Sequence, residues 1–154
     1  MKRIQQYFMI DSPPVVFVFP FALGKALQWI IPIFAIPWVA GISLGFVCII
    51  PAIIILIAAR KAFREHRTTM LPNHRSRKLL VKGPFRYTRN PLYLGIILLY
   101  AGLAFGTGSV WSLLFLPLVI IWLYYVAIFP EEKNLEQQFG EEYIRYKKSV
   151  RRWL

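Results

Sequence analysis

Long apolar runs alternate with short basic segments along this chain, and that alternation restricts it to a narrow set of folds. Apolar residues dominate from about Val15 to Ile33, about Ala35 to Ala59 and about Leu92 to Phe129, the last run being interrupted by Gly106-Thr107-Gly108-Ser109. Splitting the third run at that glycine-rich turn predicts four membrane helices. A hydrophobic content of 57% is too high for a soluble domain of 154 residues, yet the formal charge is +12. Both facts fit a small polytopic all-α membrane protein.

The cations set the expected orientation. Lys2 and Arg3 precede the first run, ten Lys and Arg lie between Arg60 and Arg89, and six follow Pro130, so four spans place 18 of the 19 on one face and leave only Lys25. The turns near Pro32 to Pro37 and at Gly106 to Ser109 carry none. Both termini and the basic loop are therefore expected in the cytoplasm. Three spans would separate the two basic segments. Lys2-Arg3 before an apolar run has the outline of a secretory signal, but no clear small-x-small cleavage site follows. Charge of this kind fits membrane orientation and anionic headgroups better than nucleic acid.

The expected organisation is one domain over 1–154. It comprises two N-terminal spans (1–59), a cytoplasmic basic loop (60–91), a helical hairpin (92–129) and an amphipathic cytoplasmic tail helix (130–154). Pro51 is expected to kink the second span, and Lys25 to snorkel or face a polar cavity. Leu135, Phe139, Tyr143, Tyr146 and Val150 give the tail an apolar stripe, with Gly140 able to break it. Cys48 has no partner for a disulfide. His74 has no metal-ligand companions at suitable spacing, so no metal site is expected.

The densest chemistry lies in Val81-Lys82-Gly83-Pro84-Phe85-Arg86-Tyr87-Thr88-Arg89-Asn90-Pro91-Leu92-Tyr93-Leu94-Gly95. Gly83-Pro84 makes a turn, and Asn90-Pro91 opens a helix with Asn90 as cap and Pro91 at the first helical position. Helix-start amides flanked by Arg86 and Arg89 suit an anionic ligand group. Gly95 leaves room for a ligand or a second helix. After the next apolar run, Phe129-Pro130 leads into Glu131-Glu132, which a hairpin returns to the same face. Taken singly these are ordinary features: a good helix start, belt tyrosines, orienting arginines, and acidic residues in a first helical turn.

Together, and in this order, they resemble the integral-membrane methyltransferases of the isoprenylcysteine carboxyl methyltransferase and phospholipid methyltransferase group. That group has Gly-Pro-Tyr/Phe-x-x-x-Arg-His/Asn-Pro-x-Tyr-x-Gly, a hydrophobic hairpin, Glu-Glu-x-x-Leu and Phe-Gly-x-x-Tyr-x-x-Tyr. Here the later elements are Glu131-Glu132-Lys133-Asn134-Leu135 and Phe139-Gly140-Glu141-Glu142-Tyr143-Ile144-Arg145-Tyr146. The resemblance covers roughly Thr68 to Trp153. It implies S-adenosylmethionine as methyl donor and a lipophilic or amphipathic acceptor reached from membrane lipid. By position it implies cofactor contacts at Gly83, Tyr87, Arg89, Asn90, Pro91, Tyr93, Gly95, Glu131 and Glu132, and catalytic roles for Arg89, Glu131 and Glu132.

The chain departs from the prenylcysteine enzymes at two places. Asn90 stands where they usually have His, and Val126-Ala127-Ile128-Phe129 offers no Arg one turn before the glutamates. A carboxylate acceptor would lack charge compensation, so an amine headgroup becomes as plausible. Two other functions fit parts of the pattern. A sterol-reductase-like enzyme would bind a dinucleotide phosphate through Arg75, Arg77 and Lys78, and a non-enzymatic adaptor would use the basic face alone.

Overall fold

A computed structural model describes residues 13–34, 36–65 and 79–153. Lys2, Arg3, Thr68, His74, Arg75, Arg77 and Lys78 lie outside the described residues. Among those described, the chain is entirely helical: α1 (Pro13–Ile30), α2 (Trp38–Glu65), α3 (Pro91–Gly106), α4 (Val110–Leu123), α5 (Phe129–Phe139) and α6 (Glu141–Ser149). A 3-10 turn covers Gly83–Arg86, and a wide π turn at Tyr124–Ile128 joins α4 to α5. Two helical stretches, Trp38–Glu65 and the run Val110–Phe139, are long and apolar enough to cross a bilayer. The apolar parts of α1 and α3 are shorter.

α2 packs along α3, α3 against α4, and α4 against α1. The α2–α3 seam depends on residues with almost no side chain. A Cβ on Gly45 would lie 3.0 Å from the Gly102 carbonyl oxygen, and one on Gly41 would lie 2.8 Å from that of Phe105. Ala52, Ala59 and Ala62 continue the buried stripe of α2. Where lipid tails are as apolar as leucine, association depends on such close van der Waals contact between backbones. Gly95 belongs to the same seam, since its added Cβ would come within 2.8 Å of the Leu56 side chain.

The α3–α4 hairpin is as tight as the sequence implies. The Gly108 N–H donates to the Phe105 carbonyl and the Ser109 N–H to that of Ala104, 2.9 Å each, with Gly108 at φ +63. This 6→1 and 5→2 pair is a Schellman ending, which favours glycine at the left-handed position. The Ser109 hydroxyl then caps α4 by accepting from the Ser112 N–H at 3.3 Å. Lys25 of α1 reaches this turn and donates to the Thr107 carbonyl at 3.1 Å. A cation at the carbonyl end of α3 complements its dipole, which accounts for the only lysine within the first apolar run. Further ties join α1 and its following turn to α4: Ser112 Oγ donates to the Phe21 carbonyl at 3.1 Å and Trp111 Nε1 to that of Ile31 at 2.8 Å.

One expectation needs correction. The tail is two helices rather than one: Gly140 adopts φ +54, ψ −125 and separates α5 from α6. Pro130 lies within a continuous helical run, because α5 continues from α4 through the π turn. Pro130 has no N–H, and in a regular α-turn its ring would press on the Val126 carbonyl. The wide turn just before it, closed by Phe129 N–H to the Tyr124 carbonyl, accommodates the ring without stopping the helix.

The seam predicts a sharp contrast between two glycines. A Cβ on Gly102 would lie 2.5 Å from Ile49 Cγ1 and 2.9 Å from the Gly45 carbonyl oxygen, whereas one on Gly106 meets nothing within 4 Å. Gly102→Ala is expected to cost about 1 to 3 kcal/mol through overpacking, and Gly106→Ala to be nearly neutral. Thermal unfolding in detergent measures both, and equal melting temperatures for the two variants would contradict the close seam.

Candidate functional site

The site is built where the 3-10 turn, the α3 start, the α5 start and the C-terminal residues meet. Gly83 takes φ +61, a left-handed conformation that glycine adopts without strain, and Pro84 follows within the turn. The turn drives Phe85 into a small apolar cluster with Leu80, Ala62 and Phe63, the two rings meeting edge-on at 5.5 Å. The following Thr88-Arg89-Asn90 segment is thereby fixed against α2 before α3 begins at Pro91.

Two glutamates approach this segment from α5, and the structure gives them different surroundings. Glu132 is buried between two guanidinium groups. Arg152 grips it with a fork, Nε to Oε1 at 3.0 Å and Nη2 to Oε2 at 2.8 Å, and Arg89 Nη1 lies 3.3 Å from Oε1. Glu131 accepts a hydrogen bond from the Tyr93 hydroxyl at 2.9 Å and has no ion-pair partner among the described residues. Burial works to raise the Glu132 proton affinity, but the Arg152 hydrogen bond and the charges of Arg89 and Arg152 outweigh it and hold the carboxyl below its ordinary range. Burial pushes Glu131 the other way, upward; the Tyr93 bond opposes this and the Glu132 charge adds to it.

Arg89 is the other unusual group. Its side chain is 9% exposed, and its Nε and Nη1 lie buried without hydrogen-bond partners among the described residues. The 3.3 Å approach to Glu132 is thus a charge contact without hydrogen-bond alignment. Tyr143 of α6 lies 1% exposed close by, its hydroxyl pushed up to about 12 chiefly by burial and the Glu132 charge. Tyr146 fixes α6 to the 3-10 turn by donating to the Phe85 carbonyl at 2.7 Å.

The C-terminal residues close the arrangement as an extended strap. The Arg89 N–H donates to the Arg151 carbonyl at 3.0 Å, and Thr88 Oγ1 donates to that of Arg152 at 2.8 Å. Asn90 occupies the cap position of α3 but does not cap with its side chain. Its Nδ2 faces the Arg152 carbonyl at 3.4 Å, and its N–H donates to Thr88 Oγ1. The Arg89 amide, just before the cap position, is occupied by the chain's own carbonyl.

Of the residues singled out from sequence, Arg89, Asn90, Pro91, Tyr93, Glu131 and Glu132 come together here. Gly83 shapes the preceding turn, Gly95 faces Leu56 of α2, and Tyr87 is 72% exposed. Arg86 is also exposed. Sequence reasoning missed Arg152, Thr88 and Tyr124, the last receiving the Arg152 guanidinium over its ring at 4.9 Å. The only hint of Arg152 was its place in a run of tail cations. No group of three or more potential metal ligands occurs among the described residues.

Comparison with known proteins adds the following. The model of the phospholipid methyltransferase family matches residues 40–142. An uncharacterized protein of Haemophilus influenzae is 36% identical over 63 residues, which are 41% of this chain and the whole of that relative. No solved structure matches.

The Glu132 pairing predicts a pH limb of stability. A carboxyl held below its unfolded value contributes stability above the ordinary carboxylate range and loses it as the pH falls through the depressed value. Melting temperatures taken downward from pH 7 should fall steeply for the parent, whereas Glu132→Gln, destabilised by about 3 kcal/mol at neutral pH, should show a shallower acid limb. Parallel acid limbs would mean that Glu132 is not the group responsible.

Proposed function

The chain belongs to the phospholipid methyltransferase family, and from that premise we propose that it transfers a methyl group from S-adenosylmethionine to an amphipathic lipid acceptor at the cytoplasmic membrane face. The observation that carries the reading is that one buried site holds free guanidinium donors beside a carboxyl without a cation among the described residues. Among the described residues, Arg89 presents Nε and Nη1 without hydrogen bonds, and Glu131 has no cation beside it. Buried donors left without acceptors are costly, and a ligand that supplies the acceptors removes that cost.

The residues fit an amino-acid zwitterion and a lipid amine. The unpartnered Arg89 N–H groups suit the donor's carboxylate, and Tyr93 holds Glu131 toward an ammonium. When bound, S-adenosylmethionine supplies an electrophilic methyl group on a sulfonium. The residues of the chain contribute position, dryness and a proton acceptor. A protonated headgroup amine has no lone pair to attack with, so it must first give up a proton. Glu131, raised in proton affinity by burial, can take it, while Glu132 stays ionised between its two arginines. This division of roles favours an amine over a prenylcysteine carboxylate, for which the turn before Glu131 provides no cation.

The reading also includes four spans with both termini cytoplasmic. Besides the cation distribution, three of the five tryptophans support it: Trp29, Trp38 and Trp111 gather around the two turns that carry no charge. Trp29 is 93% exposed there, as expected for an aromatic belt at the opposite interface. Cysteine placed at Trp29 in a Cys48→Ala background should react with an impermeant reagent only from the non-cytoplasmic side. Reaction from the cytoplasm alone would remove this topology.

The activity test is transfer of labelled methyl from S-adenosylmethionine into extracted membrane lipids, with identification of the labelled species. Glu131→Gln is expected to lower kcat roughly a hundred- to ten-thousandfold, the usual contribution of a general base. Unchanged turnover would remove Glu131 from the chemistry. Binding of NADPH in place of S-adenosylhomocysteine would redirect the assignment to a reductase.

A further inference from the structure

We propose that Arg152 is a positioning residue for this reaction, one that keeps Arg89 available to the ligand by occupying both oxygens of Glu132; the proposal rests on the assignment of Arg89 to the donor's carboxylate. Three observations carry it. Arg152 makes two aligned bonds to Glu132, at 3.0 and 2.8 Å, while Arg89 stands at 3.3 Å with no aligned bond. The Arg152 guanidinium lies over the Tyr124 ring at 4.9 Å. Its carbonyl accepts from Thr88, whose neighbour Arg89 donates its backbone N–H to Arg151. The residue is therefore held at side chain and main chain, against the two elements that carry Glu132 and Arg89.

The physical consequence is a competition. Glu132 is a buried carboxylate within reach of two guanidinium groups, and a carboxylate accepts only one bidentate fork on its two-oxygen edge. Because Arg152 takes that edge, Arg89 keeps Nε and Nη1 unpaired. Without Arg152, the same carboxylate pulls Arg89 into the fork and uses up those donors. Arg152 thus acts on the ligand through Glu132 and Arg89 rather than by touching it. A lysine at 152 covers one oxygen with a point charge and leaves the other to Arg89, so it restores the function only in part.

The test is a cycle of full-length variants in nanodiscs: Arg152→Ala, Arg152→Lys, Glu132→Gln and the double variant Arg152→Ala/Glu132→Gln, with the exposed Arg145→Ala as control. S-adenosylhomocysteine affinity by isothermal titration should fall roughly ten- to hundredfold in Arg152→Ala and less in Arg152→Lys. The double variant should bind more tightly than Arg152→Ala, because a neutral glutamine no longer captures Arg89. A residue serving only stability would make the double variant the weaker of the two, and that result would overturn the proposal. A second readout is independent of the cofactor: the Nε–H proton resonance of Arg89, assigned by its loss in Arg89→Lys, should move downfield in Arg152→Ala as the new hydrogen bond forms. No movement overturns the proposal. A parent that binds no S-adenosylhomocysteine but shows this movement retains Arg152 as the residue controlling Arg89 and removes the assigned ligand instead.

Discussion

Burial of the Glu132 carboxylate is the constraint on which the polar end of the molecule depends. A carboxylate with 6% of its side chain exposed is sustained only by cations brought to it, and here they come from opposite ends of the functional half. Arg89 arrives from the loop before α3 and Arg152 from the end of the chain. Satisfying one charge thus brings together the α3 entrance, the α5 start and the strap. α6, nine residues long, would be marginal as an isolated helix. Its two buried tyrosines hold it beneath the same charges.

Much of this architecture was legible because membrane segments write their position into composition. The apolar runs, the Gly106–Ser109 turn and Pro91 at the head of α3 all followed from single residues whose backbone or solvation demands are strong. The tail was not legible. Leu135, Phe139, Tyr143 and Tyr146 keep helical spacing across Gly140, and two short amphipathic helices in succession give the same pattern as one long helix. Arg152 was hidden for a related reason: among Lys147, Lys148 and Arg151 its charge is not distinctive. What sets it apart is a distance to Glu132, which local spacing does not encode. Asn90 shows the opposite error, where the usual capping role was displaced by a tertiary carbonyl.

The two halves of the fold use different physics. Between α2 and α3, in the apolar region, glycine and alanine allow backbones to touch, and specificity comes from the absence of side chains. At the polar end, specificity comes from charge and directed hydrogen bonds among Arg89, Tyr93, Glu131, Glu132 and Arg152. The Phe85 cluster joins the halves, because it anchors the polar loop to Ala62 at the end of the small-residue stripe.

The π turn at Tyr124–Ile128 gives this join an angular setting. An α-helix advances about 100° per residue, so the extra residue in a wide turn rotates everything beyond it by about that angle relative to α4. Glu131 and Glu132 face Tyr93 and Arg89 only in the rotated frame. Loss of one residue from that turn would swing both carboxylates by about 100° away from Tyr93 and Arg89. The number of residues in that stretch is thus a requirement of its own, separate from the chemistry of Tyr124, whose ring carries the Arg152 guanidinium.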